Sequence, residues 1–117
     1  MPKNQSESAL QSACINWFRY QYPKLIMFAI PNGGQRSEIG GAILKREGVL
    51  AGVSDLFLME PRGVFHGMFI EMKTPDNYMT EKQKLFFEQA TLRGYKCVCC
   101  KTNVDFRHEV EAYLKLK

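Results

Sequence analysis

V-S-D-L-F-L-M-E-P-R-G-V-F-H-G-M-F-I-E-M-K, residues 53–73, is the stretch that decides the fold. Residues 53–60 and 64–73 each read as a strand. E-P-R-G at 60–63 is turn chemistry, so the two runs pair as a hairpin. Side chains alternate along a strand, which puts Phe69, Glu71 and Lys73 on one face and Met68, Ile70 and Met72 on the other. In an antiparallel hairpin the start of one strand lies beside the end of its partner. Asp55 is thereby set next to Glu71 and Lys73. Pro75 breaks the second strand just beyond, and T-P-D-N-Y at 74–78 is a loop.

Working outward, residues 6–20 read as a helix, with Leu10, Ala13, Cys14, Trp17 and Phe18 on one apolar stripe and Pro23 ending it. K-L-I-M-F-A-I at 24–30 is short enough for a buried strand, and P-N-G-G at 31–34 is a turn. Residues 37–47 predict a second helix. Thr80 caps a third that runs to about Arg93 and stops at Gly94. Y-K-C-V-C-C at 95–100 is a further strand, and residues 105–116 close the chain as a helix with Phe106, Val110, Tyr113 and Leu114 inward. The order is α-β-α-β-β-α-β-α, an α/β fold with a mixed central sheet flanked by helices.

At 117 residues the expectation is a single domain spanning 1–117. The apolar fraction of 45% is that of a globular chain and argues against disorder. A formal charge of +4 admits a polyanionic partner without requiring one. No apolar run nears the roughly 18–20 residues of a membrane span, and M-P-K-N-Q-S-E-S lacks a signal-peptide core. No membrane association and a cytoplasmic setting are expected. Cys14 stands alone and Cys97, Cys99 and Cys100 crowd into C-V-C-C. That is neither a disulfide framework nor a paired zinc pattern, so reduced core thiols are expected.

Two carboxylates held close repel each other, and a divalent cation relieves the repulsion. Oxygen ligands suit Mg²⁺ or Mn²⁺. A lysine alongside orients an attacking water or stabilises charge on a phosphate. Asp55 with Glu71-x-Lys73 is thus a workable apparatus for phosphodiester hydrolysis, although an acid and a lysine at this spacing are more often a solvated ion pair of little consequence. Glu7 and Gln83 head two inward helical stripes. Each also has a plain capping explanation, Asn4-x-x-Glu7 and Thr80-x-x-Gln83. Both point toward the same end of the sheet as the hairpin acids.

E-S-A-L-Q, F-A-I-P-N-G-G-Q-R, L-K-R-E-G, G-V-S-D-L, F-I-E-M-K, T-E-K-Q and R-G-Y occur in this order from Glu7 to Leu114. In that order and spacing the chain resembles the stand-alone virus-type replication-repair nuclease (VRR-NUC) domains of the PD-(D/E)XK superfamily. The resemblance implies a restriction-endonuclease-like core and a metal-dependent DNA endonuclease leaving 5′-phosphate and 3′-hydroxyl ends. It implies Asp55, Glu71 and the Met72 backbone carbonyl as metal ligands for Mg²⁺ or Mn²⁺, Glu7 completing the site through water, and Lys73 as the catalytic lysine. Gln83 would support the site or contact DNA. Asn32, Gly33 and Arg36 match the N-G-x-x-R segment near the DNA. Ser54 departs from the superfamily pattern, which has proline before the aspartate.

Small stand-alone members are similar to junction-resolving nucleases that work as homodimers. A Holliday-junction resolvase-like activity on branched DNA is therefore the leading expectation, in a prokaryotic or phage-infected cell. Flap, fork or nicking cleavage is the alternative within the family, and a catalytically inactive branched-DNA-binding module lies outside catalysis. Lys45, Arg46 and Lys82, with Arg36 and Lys84, are candidates for a phosphate-facing surface, or a solvated face. A thiol or metal site at C-V-C-C is a third, non-nucleic reading. His66 and His108 are isolated, and Trp17, Phe86 and Phe87 sit at core spacing.

Overall fold

In the computed structural model the described residues are 5–31 and 38–117, with side chains described for 6–31 and 41–117. They form α1 (Gln5–Gln21), β1 (Met27–Ala29), α2 (Glu38–Arg46), β2 (Leu56–Leu58), β3 (Met68–Met72), α3 (Glu81–Leu92), β4 (Lys96–Cys100) and α4 (Asn103–Leu114). The element order is the one read from the sequence. The sheet runs β1-β2-β3-β4; β1–β2 and β2–β3 are antiparallel, and β3–β4 is parallel. A parallel pair needs a crossover, and α3 provides it.

Both faces of the sheet are covered. Met68, Ile70 and Met72 of β3, with Val98 and Cys100 of β4, face Cys14 and Phe18 of α1 and Phe106, Val110 and Tyr113 of α4. Phe69 faces the other way, against Phe86 of α3 with ring centroids 5.0 Å apart, and against Phe57 and Tyr95. Of the predicted stripe on α1, Ala13 is exposed, while Cys14 and Phe18 are buried.

The strands are shorter than the apolar runs suggest. Residues 23–25 turn instead of extending, with the Leu25 N–H donating to the Tyr22 carbonyl (3.1 Å). The hairpin tip lies at 62–65 and not at 60–63, because Arg62 and Phe65 exchange backbone hydrogen bonds around Gly63 and Val64. The main register pairs Leu58 with Met68, and the tip pairs Arg62 with Phe65. These differ by one residue, so the chain bulges between them. Tyr113 Oη fixes the bulged segment by donating to the Glu60 carbonyl at 2.7 Å. The last helix starts at Asn103, two residues before the expected start. Thr102 caps it, accepting from the Asp105 N–H at 3.0 Å.

Gly94 stops α3 with φ 93°, which lets the Tyr95 N–H reach back to the Ala90 carbonyl at 3.1 Å. Gly52, three residues before Asp55, has φ 95° and lies so close to α3 that an added Cβ would sit 2.6 Å from the Lys82 carbonyl oxygen. The segment leading into β2 is therefore seated directly on the first turn of α3. Gly52→Ala combines backbone strain with a backbone clash and should lower stability by about 1–3 kcal/mol, read as a fall in the urea midpoint at constant slope.

All four cysteines are free thiols. Burial pushes Cys14 up to about 11 and Cys100 up to about 12, with Arg107 pulling the first down and Glu109 pushing the second further up. Burial also raises Cys97 and Cys99. The fold thus favours protonated thiols. That stabilisation is complete below about pH 8 and is lost as pH climbs through the unfolded value near 9 toward 11 and 12. Urea midpoints at pH 8 and pH 10 should fall at the higher pH, and fall by less in Cys100→Ser, which has no thiol to titrate.

Candidate active site

The hairpin acid and the acid–lysine pair meet at the end of β3. Asp55 precedes β2, opposite Glu71 when the β2–β3 register is continued by one pair. Its backbone carbonyl accepts from Ile30 N–H at 2.8 Å, which ties it to β1. Its side-chain Oδ2 accepts from the Met72 N–H at 2.7 Å, which ties it to β3. Glu71 is 2% exposed and Lys73 9% exposed. Lys73 Nζ lies 3.9 Å from Glu71 Oε2. This is not the solvated surface pair that the i, i+2 spacing also allowed.

Glu7 and Gln83 are both drawn to this end of the sheet. Glu7 lies in the first turn of α1, is 8% exposed, and accepts from Asn77 Nδ2 at 2.9 Å. Gln83 donates through Nε2 to Glu71 Oε2 at 3.2 Å. The same Gln83 closes a capping box with Thr80: its Oε1 accepts from the Thr80 N–H at 2.8 Å, and its own N–H donates to Thr80 Oγ1 at 3.2 Å. Gln83 caps α3 and also bonds Glu71, so the two readings do not exclude each other. For Glu7, the capping partner Asn4 lies outside the described residues.

Asn77 is the residue that sequence reading missed. It sits in the 74–78 loop, donating to Glu7 Oε2 and to Thr74 Oγ1 (2.8 Å). Thr74-Pro-Asp-Asn77 is a β-turn closed by the Asn77 N–H on the Thr74 carbonyl at 3.0 Å. The signal was available in T-P-D-N as turn chemistry. What it did not reveal was the direction of the asparagine side chain. Cys99 is a second unflagged neighbour. It pairs with Glu71 across the parallel β3–β4 ladder. Burial, then Glu71, push its thiol up, with Asp55 adding to the rise, against the opposing pull of Lys101 and Lys73.

The family comparison decides what this arrangement belongs to. The VRR-NUC domain family matches residues 5–103. The chain belongs to the VRR-NUC family. A solved structure of a VRR-NUC domain protein is 28% identical, with a TM-score of 0.79, covering 97% of this chain and 92% of that one. No curated protein matches. Membership carries a nuclease-type function and DNA as the substrate class. The mixed sheet between helices is the PD-(D/E)XK-like arrangement that the sequence led us to expect.

The basic residues of this VRR-NUC domain divide. Lys45 and Lys82 line one groove of about 560 Å³ between α2 and α3, with Leu44, Leu50, Leu85 and Phe86 as its apolar walls. Arg46 lines a second depression with Ala42, Ile43 and, again, Lys45. Lys84 pairs with Glu81 at 3.5 Å. Asn32, Gly33 and Arg36 lie outside the described residues. Among the described residues no three His, Cys, Asp or Glu side chains converge as a metal-binding group, C-V-C-C included. No helix among them is long and apolar enough to cross a membrane.

The dual role of Gln83 can be separated from capping alone. Thr80→Ala and Gln83→Ala should each lower stability by about 0.5–2 kcal/mol through loss of the cap. Only Gln83→Ala also removes a hydrogen bond to Glu71 Oε2, and its DNA cleavage should drop on the order of tenfold, the worth of one hydrogen bond to a charged group. Thermal melts and cleavage rates on the same preparations check both.

Proposed function

We propose that this VRR-NUC domain is a divalent-metal-dependent, structure-specific DNA endonuclease with Holliday-junction resolvase-like activity. The observation that carries the reading is the juxtaposition of Asp55 with the buried Glu71–Lys73 pair, fixed by the 2.7 Å bond from Met72 N–H to Asp55 Oδ2.

The donor set fits a hard cation. Asp55 and Glu71 would supply carboxylates, Met72 a backbone carbonyl, and Glu7 would act through water; all are oxygen ligands. Mg²⁺ or Mn²⁺ held there supplies neutralisation of phosphate charge and a lowered pKa for water. Gln83 holds Glu71 by one oxygen, which limits rotation of that carboxylate. Asn77 does the same for Glu7. Lys73, anchored by its N–H on the Cys100 carbonyl (3.0 Å), extends its ammonium beside Glu71, where it orients a water or meets the charge that develops on a phosphodiester oxygen.

A homodimer would present two such sites, and the two-fold symmetry of a four-way junction matches that arrangement. Lys45 shares one groove with Lys82 and another with Arg46, and these three are the described cations proposed to meet backbone phosphates. The set of Asp55, Glu71 and Lys73 favours catalysis over an inactive binding module.

Labelled four-way junction, flap and linear duplex, each incubated with Mg²⁺, Mn²⁺ or EDTA, test this. The junction should receive paired symmetric nicks only with metal, and light scattering should give a dimer mass. Asp55→Asn keeps an acceptor for the Met72 N–H, so it should fold normally while losing activity by roughly three orders of magnitude, as should Glu71→Gln and Lys73→Ala. No cleavage of any substrate in either metal, or a folded Lys73→Ala as fast as the parent, would sink the nuclease proposal. Cleavage confined to flaps or forks would replace the resolvase reading with the family alternative.

A further inference from the structure

The rim of the site carries an aromatic side chain that the proposed chemistry does not use. Tyr78 is 77% exposed, yet the loop that holds it is closely tied. Thr74 Oγ1 donates to Asp76 Oδ1 at 3.0 Å, Asn77 bonds both Thr74 and Glu7, and Thr80 is locked in the capping box. Tyr78 therefore stands between one residue bonded to Glu7 and another bonded to Gln83, the partner of Glu71. Lys101 closes the arrangement from β4. Its ammonium lies 4.2 Å from the centre of the Tyr78 ring and 3.4 Å from the Pro75 carbonyl. Lys101 follows Cys100, whose carbonyl takes the Lys73 N–H, so the cation belongs to the same end of the sheet.

A single exposed tyrosine is commonplace and by itself means nothing. Here the ring is held on a braced loop, has a cation on one face and presents the other face to solvent. We infer that Tyr78, backed by Lys101, is a stacking platform for an unpaired nucleobase at the edge of the candidate site. The inference rests on the nuclease reading and deepens it by naming the DNA feature the site prefers. A base inside continuous duplex already has neighbours on both faces. A base at a branch point or in a single strand has a face to give, and stacking on an aromatic ring is indifferent to which base it is. Lys101 adds positive charge where the phosphate of that nucleotide passes. The platform thus selects structure without reading sequence.

Binding in EDTA separates this from cleavage. The probes are a four-way junction and a flap, each with 2-aminopurine at the nucleotide beside the branch, and a linear duplex of the same sequence. The parent protein should quench the 2-aminopurine fluorescence of the branched probes. Tyr78→Ala should abolish the quenching and weaken branched-DNA binding about tenfold, while linear-duplex binding changes less than about twofold. Tyr78→Trp should keep both quenching and affinity, which guards against a trivial folding effect, and melting curves of all three proteins should coincide. Equal quenching and affinity in Tyr78→Ala and the parent would overturn the platform. So would a parent that cuts branched DNA without quenching it. Quenching by a parent that cuts nothing in Mg²⁺ or Mn²⁺ would instead overturn the nuclease reading and leave the platform standing.

Discussion

The bond from Met72 N–H to Asp55 Oδ2 is the constraint on which the rest of the site depends. Asp55 lies just outside β2, so regular β2–β3 pairing does not hold it. Its backbone faces β1 through Ile30 and its side chain takes the place of a ladder partner for β3. A charge-assisted bond of this kind is short and directional. It sets the carboxylate of Asp55 at the end of the strand that carries Glu71 and Lys73. A carboxylate also has acceptor capacity beyond one hydrogen bond, so accepting from Met72 does not consume it. The same group closes the fold and, under the proposed function, would serve as a metal ligand.

Burial decides what the neighbouring charges are for. An exposed Glu–Lys pair contributes little and would be dispensable. Glu71 and Lys73 are almost fully buried, in a sheet covered on both faces, where each charge needs a compensating neighbour. The compensation is local and polar: Gln83 on Glu71, Asn77 on Glu7, Met72 N–H on Asp55. Asp55 and Glu71 beside the single ammonium of Lys73 are a poor way to stabilise a core, and under the proposed function they are the groups that would receive a cation.

Element order and the meeting of Asp55 with Glu71 and Lys73 were legible because both follow from alternation and hairpin pairing. What was not legible lies where side chains override backbone pattern. The apolar run at 24–30 looks uniformly strand-like, but the Leu25–Tyr22 bond turns its first part. The one-residue offset between the Leu58–Met68 pair and the Arg62–Phe65 tip leaves no mark in the hydrophobic pattern, since it is held from outside by Tyr113 on the Glu60 carbonyl. Asp105 looked like a helix start because it is acidic and precedes an apolar stripe. It is the third residue of a helix that Thr102 caps. Asn77 was invisible for the opposite reason, because a turn asparagine has a sufficient local explanation.

Gln83 shows how a chain this short builds such a site. Capping and catalysis compete as explanations only if a side chain has one polar end. An amide has an acceptor and two donors. Gln83 spends its oxygen on the start of α3 and its nitrogen on Glu71, so the helix start and the carboxylate are positioned by one group. Asn77 divides its amide between Thr74 and Glu7, and Asp55 divides its backbone and side chain between β1 and β3. In Gln83 and Asp55 the atom facing the site is oriented by a different atom of the same residue that the fold already needs, whereas in Asn77 the one Nδ2 makes both bonds. Removing the side chain of Gln83 therefore loosens a structural joint and a candidate site group together, and a substitution that keeps one polar end while deleting the other is what distinguishes them.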